Sequence, residues 1–198
     1  RSVRGYKMCA PSPNAKRFVA NRLQGAKLPP KVDLRPWMTP VEDQSDTNSC
    51  AANAVAGAYE YLCKRHWGEE AYDVSRMFIY YNARYLDDPD EISDDGCYIA
   101  KAIDGLREYG ACSEETWTFD QEQVNEEPSA EAYEEAAEFL VEDVAAVPAK
   151  LEAWRACLAE GNPIVFGLKL FGSFDKQRKK GLVSMPGAAD AQRGSHGG

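Results

Sequence analysis

The rhythm of apolar and polar positions changes sharply at residue 49. Before it, residues 1–30 read as irregular, broken by Pro11, Pro13, Pro29 and Pro30, and residues 36–48 form a polar loop with Pro36 and Pro40. Residues 32–34 read as a short extended piece. From 49 to about 64 the run SCAANAVAGAYEYLCK places Cys50, Ala51, Ala54, Val55, Ala58, Tyr59 and Leu62 at helical spacing. Alanine is the strongest helix former, and Ser49 is a candidate N-cap. The small side chains let other backbone approach closely, which predicts a central, buried helix. Further helices are predicted over 75–85, over 98–109 with a stop at Gly110, over 130–140, and over 150–160 with a stop at Gly161. PIVFGLKL, residues 163–170, is β-branched and apolar and predicts a buried strand. Residues 186–198 are rich in Gly, Ala and Ser and read as a loop. The pattern is α+β, a helical first half followed by a β part that is only begun.

Composition and charge narrow the function classes. A chain of 198 residues makes one substantial domain or two small lobes sharing a cleft. No run of 18 apolar residues is present, so no membrane span is predicted. Residues 1–7 are basic, but no apolar stretch follows them to make a signal peptide. The net charge of -9 argues against nucleic acid as a partner, because polyanions are held by Lys and Arg. Acid is dense over residues 114–143, and Lys176, Arg178, Lys179 and Lys180 form a short basic run. Both read as solvated surface. The six cysteines, at 9, 50, 63, 97, 112 and 157, show neither CxxC nor a Cys/His cluster. No zinc site is therefore predicted. The histidines are only His66 and His196, and His66, near the end of the central helix, reads as surface.

Cys50 is the residue most suited to chemistry. It follows a polar loop and opens a helix, where unpaired N–H groups and a positive partial charge favour thiolate over thiol. The alternative from position alone is a buried cysteine packing as a small hydrophobe. Gln44 stands six residues upstream within VEDQSDTNSC. This segment resembles the active-site segment of the papain family of cysteine peptidases, in which a glutamine precedes the nucleophile by that interval. The resemblance implies that the Gln44 amide and the Cys50 N–H hold an oxyanion. LPPKVDLRPWMTPVEDQ resembles the stretch that leads into the family's mature domain, and VSRMFIYYNAR the second helix of its helical lobe. DGCYIAKAIDGLREYGACSEETWTF resembles the family's segment from its cleft glycine pair to the close of that lobe. On that alignment Gly96 matches the second cleft glycine, whose backbone pairs with an extended substrate. Tyr98 falls near the pocket for the side chain two before the cut bond, and Gly167, in NPIVFGLKLFGSF, faces the same pocket. GLVSMP, residues 181–186, resembles the next strand.

The departures are specific. The position three before Cys50 is Thr47 where the family often has a disulfide cysteine, so Cys97 lacks that partner. Ala51 replaces a tryptophan, and Asp95 replaces the first cleft glycine. The fold implied is a papain-like two-lobe α+β fold, with an extension over residues 1–27, a helical lobe over 28–125 and an incomplete β-barrel lobe over 126–198. Attack by Cys50 needs an imidazole. The resemblance places that histidine immediately after Gly198, with His196 as the alternative after a shift of register. An incomplete barrel lobe leaves apolar edges uncovered, to be completed by further chain or by a protein partner. The activity implied is peptide-bond hydrolysis through a Cys50 thioester, with a peptide or protein as substrate and no metal or organic cofactor. Two alternatives stay open, a catalytically silent binding or structural component of an assembly, and a related thiol acyl-transfer enzyme.

Overall fold

The alanine-rich run forms helix α1, Cys50–Trp67, which ends at Gly68 with φ +69°. The structure is a computed structural model that describes residues 5–9, 12–20, 27–68, 73–177 and 182–198. Small residues bring α1 into the middle of the molecule as predicted. Ala51, Ala52, Val55, Ala56, Tyr59 and Cys63 are buried, while Leu62 points outward. Ser49 is not a side-chain cap. Its hydroxyl instead lies 2.7 Å from that of Thr47 and 2.9 Å from Nδ2 of Asn53.

Helices α2, Arg76–Tyr85, and α3, Ile99–Glu108, pack on α1 and on each other. Ser75 caps α2, accepting the Phe78 N–H at 3.1 Å while its own hydroxyl donates to the Trp117 carbonyl at 2.5 Å. Phe78, Ile79 and Tyr80 are fully enclosed, and the α2 core continues into Val74, Ala111 and Cys112. Gly110 ends α3 with φ +82°, and a Cβ there would overlap the Ala136 carbonyl. Helix α4, Ala130–Ala136, stops short of the predicted residue 140. Tertiary bonds take over at that point: the Phe139 carbonyl accepts the Tyr59 hydroxyl at 3.0 Å, and the Val141 N–H donates to the Leu106 carbonyl at 3.1 Å. Helix α5, Leu151–Ala159, is followed by Gly161, also at positive φ.

The β part is one antiparallel pair, β1 (Gly167–Phe171) with β2 (Gln192–Gly197), and the short helix α6 (Gly172–Gln177) lies between them in sequence. Gly167 faces Gly197 and Leu168 faces His196, and beyond them Phe166 and Gly198 exchange both backbone bonds at 2.7 and 2.8 Å. Three expectations are corrected here. The strand begins at Gly167 rather than 163. The residues read as a C-terminal loop contain β2. The strand expected over 181–186 is absent from residues 182–186, where Leu182, Val183 and Met185 are exposed, and Gly181 lies outside the described residues. Polar residues form β2 because the backbone of β1 supplies the pairing, so the apolar alternation that marks a strand in sequence is missing. The side chains of the basic run at 176–180 also lie outside the described ones. No described helix is long and apolar enough to cross a membrane.

Glu60 is a buried carboxyl on α1, 1% exposed. It accepts the Val74 N–H at 3.0 Å and the Thr39 hydroxyl at 2.5 Å. Burial, reinforced by Asp73, pushes it up to about 7. The folded state thus holds this proton more tightly than the unfolded chain does. Its stabilising contribution is complete below the ordinary value of 4.5 and is lost as pH rises through about 7. Thermal melting across this range should show wild-type protein losing stability relative to Glu60→Gln. Parallel melting profiles would contradict the assignment.

Candidate active site

The loop over residues 44–49 delivers Cys50 to the first position of α1, and short internal bonds fold it. Nε2 of Gln44 donates to the Thr47 carbonyl at 2.7 Å, and the Thr47 N–H and hydroxyl both return to the Gln44 carbonyl, at 3.2 and 2.7 Å. Ser45 takes φ +52° within this turn. The predicted oxyanion residue and the predicted nucleophile therefore share one rigid loop, in which Thr47 and Ser49 are buried.

Two polar clusters fix that loop to the body. The Asn48 N–H donates to Oδ1 of Asp94 at 2.8 Å, and its side-chain amide donates to the Asp94 carbonyl at 2.6 Å. The same Oδ1 accepts the Tyr80 hydroxyl at 2.7 Å, and the Tyr80 oxygen accepts the Gly96 N–H at 3.0 Å. On the other side Arg76, 6% exposed, reaches the Asp43 carbonyl, Oδ1 of Asn53 and the carboxylate of Glu42 at 3.1–3.3 Å. Its guanidinium lies 4.2 Å from the ring centre of Phe119.

Cys50 is 2% exposed. The Gly197 N–H of β2 donates to its sulfur at 3.4 Å, so the β pair closes on the start of α1. Burial raises the thiol above its ordinary value, and the N–H groups of Gly197, Ala51 and Cys50 oppose that rise. Position at a helix start predicts a thiolate. In the folded chain desolvation is the largest influence, and the N–H groups offset it only in part. Cys97 packs wholly enclosed nearby, pushed up to about 12 by burial and then by Cys50. All six cysteines are free thiols.

The predicted cleft residues gather around residues 5–7. Gly96 has φ +90° and spends its N–H on Tyr80, so the backbone donor and acceptor open to an extended segment belong to its neighbour Cys97. Tyr98 is half-buried at the cap of α3. Gly167 opens β1 beside the Tyr6 ring. A Cβ at Gly197 would press on Ala51, so that face of β2 looks towards α1. Strand side chains alternate, which puts His196 on the opposite face. Asn48, Tyr80 and Asp94, which hold the loop, carried no sequence signal beyond their closeness to Cys50 and Gly96. No cluster of His, Cys, Asp and Glu able to hold a metal occurs among the described residues.

No family model matches the chain. It is 33% identical over 191 residues to an uncharacterised peptidase C1-like protein of Acanthamoeba polyphaga mimivirus, an alignment covering 86% of this chain. The chain spans about 61% of the length of that curated relative. Among solved structures it superposes on xylellain, a cysteine protease from Xylella fastidiosa, with a TM-score of 0.86 and 28% identity, covering 99% of this chain and 78% of that one. A procathepsin B from Trypanosoma congolense gives 0.70 at 12% identity, over 98% of this chain and 69% of that one. A digestive procathepsin L from Tenebrio molitor larval midgut gives 0.68 at 15% identity, over 87% and 53%. At those identities the two procathepsins speak for the fold alone.

Two outcomes are expected from this geometry. Asp94→Ala leaves the Asn48 N–H and the Tyr80 hydroxyl without their acceptor, and should cost about 1–3 kcal/mol in denaturant unfolding, whereas Asp94→Asn keeps the acceptor and most of the stability. Alkylation of Cys50 in the 198-residue chain, followed by mass spectrometry, should rise with pH around a midpoint above that of a free thiol. A midpoint below neutrality would contradict the dominance of burial.

Proposed function

We propose that this chain, papain-like in sequence and in fold, supplies the nucleophile and oxyanion hole of a cysteine peptidase that cleaves peptide bonds through an acyl-enzyme on Cys50. The observation that carries this reading is the meeting of loop and strand at one sulfur. Cys50 opens α1 on the loop that orients Gln44, and the Gly197 N–H reaches its Sγ at 3.4 Å.

In this reading Sγ bonds to the substrate carbonyl carbon while its proton passes to an imidazole. The carbonyl π electrons collect on oxygen, between Nε2 of Gln44 and the Cys50 N–H. When the intermediate collapses, the C–N bond breaks, the imidazolium protonates the leaving amine, and a thioester remains on Cys50. Water then gives a proton to the imidazole as it attacks the thioester. The acid departs and the thiol is restored.

The imidazole must come from the face of β2 that Gly197 turns towards Ala51. His196 lies on the other face and is not assigned the role. A histidine so placed also offsets the burial of the thiol, since an imidazolium beside the sulfur favours the thiolate.

In the intact protein Cys50→Ala should abolish both peptide hydrolysis and labelling at this site by a peptidyl thiol probe. Gln44→Ala should lower kcat by about 10²–10³ while Cys50 labelling persists and the protein still melts cooperatively. Labelling at Cys50 without any peptide cleavage would favour the silent binding component. Transfer of the acyl group to an added amine in preference to water would favour an acyltransferase.

A further inference from the structure

Arg76 opens α2, and three acceptors converge on its Nη1. The Asp43 carbonyl lies at 3.3 Å, Oδ1 of Asn53 at 3.2 Å and Oε2 of Glu42 at 3.1 Å. Asp43 immediately precedes Gln44, and Asn53 lies in the first turn of α1, just beyond Cys50. A single nitrogen therefore closes the segment that begins before the predicted oxyanion donor and ends after the predicted nucleophile.

From Asn53 the bonds run back through the loop. Nδ2 of Asn53 donates to the Ser49 carbonyl at 3.0 Å and to the Ser49 hydroxyl at 2.9 Å. The Thr47 hydroxyl gives its proton to the Gln44 carbonyl at 2.7 Å, so across the 2.7 Å between the two hydroxyls Ser49 is the donor. Every link thus donates in one direction, from the Arg76 cation through Asn53, Ser49 and Thr47 to Gln44. A chain of hydrogen bonds aligned in this way is strengthened by the charge at its head. Nε2 of Gln44 completes the circuit on the Thr47 carbonyl.

The guanidinium is aimed at this loop at the expense of its acidic neighbour. Its Nη2 stands 3.7 Å from Oε1 of Glu114, and Nε of Arg76 and Oε2 of Glu114 are buried with no hydrogen-bond partner among the described residues. An arginine placed to neutralise Glu114 would turn its fork to the carboxylate in two parallel bonds. A buried ion pair also adds little net stability over apolar side chains of the same volume. Stability therefore gives no reason for a guanidinium in this nearly enclosed position, whereas the three acceptors around the loop do. The Phe119 ring covers one face of the group and restricts its plane.

We propose that Arg76 is a positioning residue for the oxyanion hole. It fixes the spacing of the Gln44 amide and the Cys50 N–H, acting through Asp43 on one side and Asn53 on the other. The assignment rests on the reading of Gln44 as the oxyanion donor. Its effect falls on the transition state, because the donors meet full negative charge only when the carbonyl has been attacked. Lysine at this position keeps the charge and loses the planar fork.

The test uses the intact protein and a peptidyl-aminocoumarin substrate. Arg76→Lys and Asn53→Ala are compared with wild type and with Gln44→Ala, each alone and in combination with Gln44→Ala. Asn53→Ala puts the strongest helix former into α1, so it carries the same comparison if Arg76→Lys fails to melt cooperatively. Each substitution should lower kcat by about 10–10²-fold with KM within about twofold of wild type. In the Gln44→Ala background each should change kcat by less than about twofold, because the donor it positions is gone. Losses that multiply in the double variants would overturn the proposal, as would wild-type kcat in the single ones. Amide hydrogen exchange over residues 43–49 is read on the same proteins and does not depend on turnover. It should quicken by about tenfold or more in both variants while the amides of α3 exchange as in wild type. If wild type cleaves no peptide, faster exchange confined to the loop keeps the positioning role and removes the peptidase reading. Unchanged exchange in the loop overturns the positioning role itself.

Discussion

Asp94 accepts the Asn48 N–H and the Tyr80 hydroxyl on one oxygen, and the geometry around Cys50 follows from that shared acceptor. The N–H groups at the start of a helix have no partners within it, so the chain preceding α1 needs help to stay folded against the body. Asp94 provides it for Asn48, and Tyr80 passes the connection on to Gly96. The loop that aims Gln44 and the loop that forms the cleft floor thereby become one unit. Its two walls keep their spacing because a single carboxylate bonds to both. Arg76 does similar work on the outer side, holding residues 42–43 through carbonyl and carboxylate contacts from a nearly enclosed position.

The second constraint is desolvation at the sulfur. A buried thiol resists ionisation, and three backbone N–H groups do not reverse that in this chain. Residues 5–7 meanwhile take the Cys97 backbone pairing and the space in front of Gly167.

Much of the fold was legible because its signals are local. The alanine spacing placed α1, and Gly110 and Gly161 mark stops where the backbone takes positive φ. The misreadings occurred where a neighbour distant in sequence sets the conformation. α4 ends early because Tyr59 and Leu106 take the next backbone groups. Residues 192–197 form a strand because β1 lies beside them, although QRGSHG has no apolar alternation.

The sequence by itself determined the identity and adjacency of the reactive pair. Gln44 and Cys50 are six residues apart, a helix start follows, and so both must belong to one loop at one helix end. Through the family resemblance it also marked Gly96 and Gly167 as cleft positions. Only the tertiary structure decided that the two glycines face the same tripeptide, that Cys97 exchanges backbone bonds with it, and that Cys50 is buried with its thiol pKa raised. The reason is physical. Helix caps and turn glycines act over a few residues and are written in order along the chain. Desolvation, strand pairing and the crossing of two backbones depend on which distant segments meet, and Gly5 meets Gly96 only after the chain between them has folded.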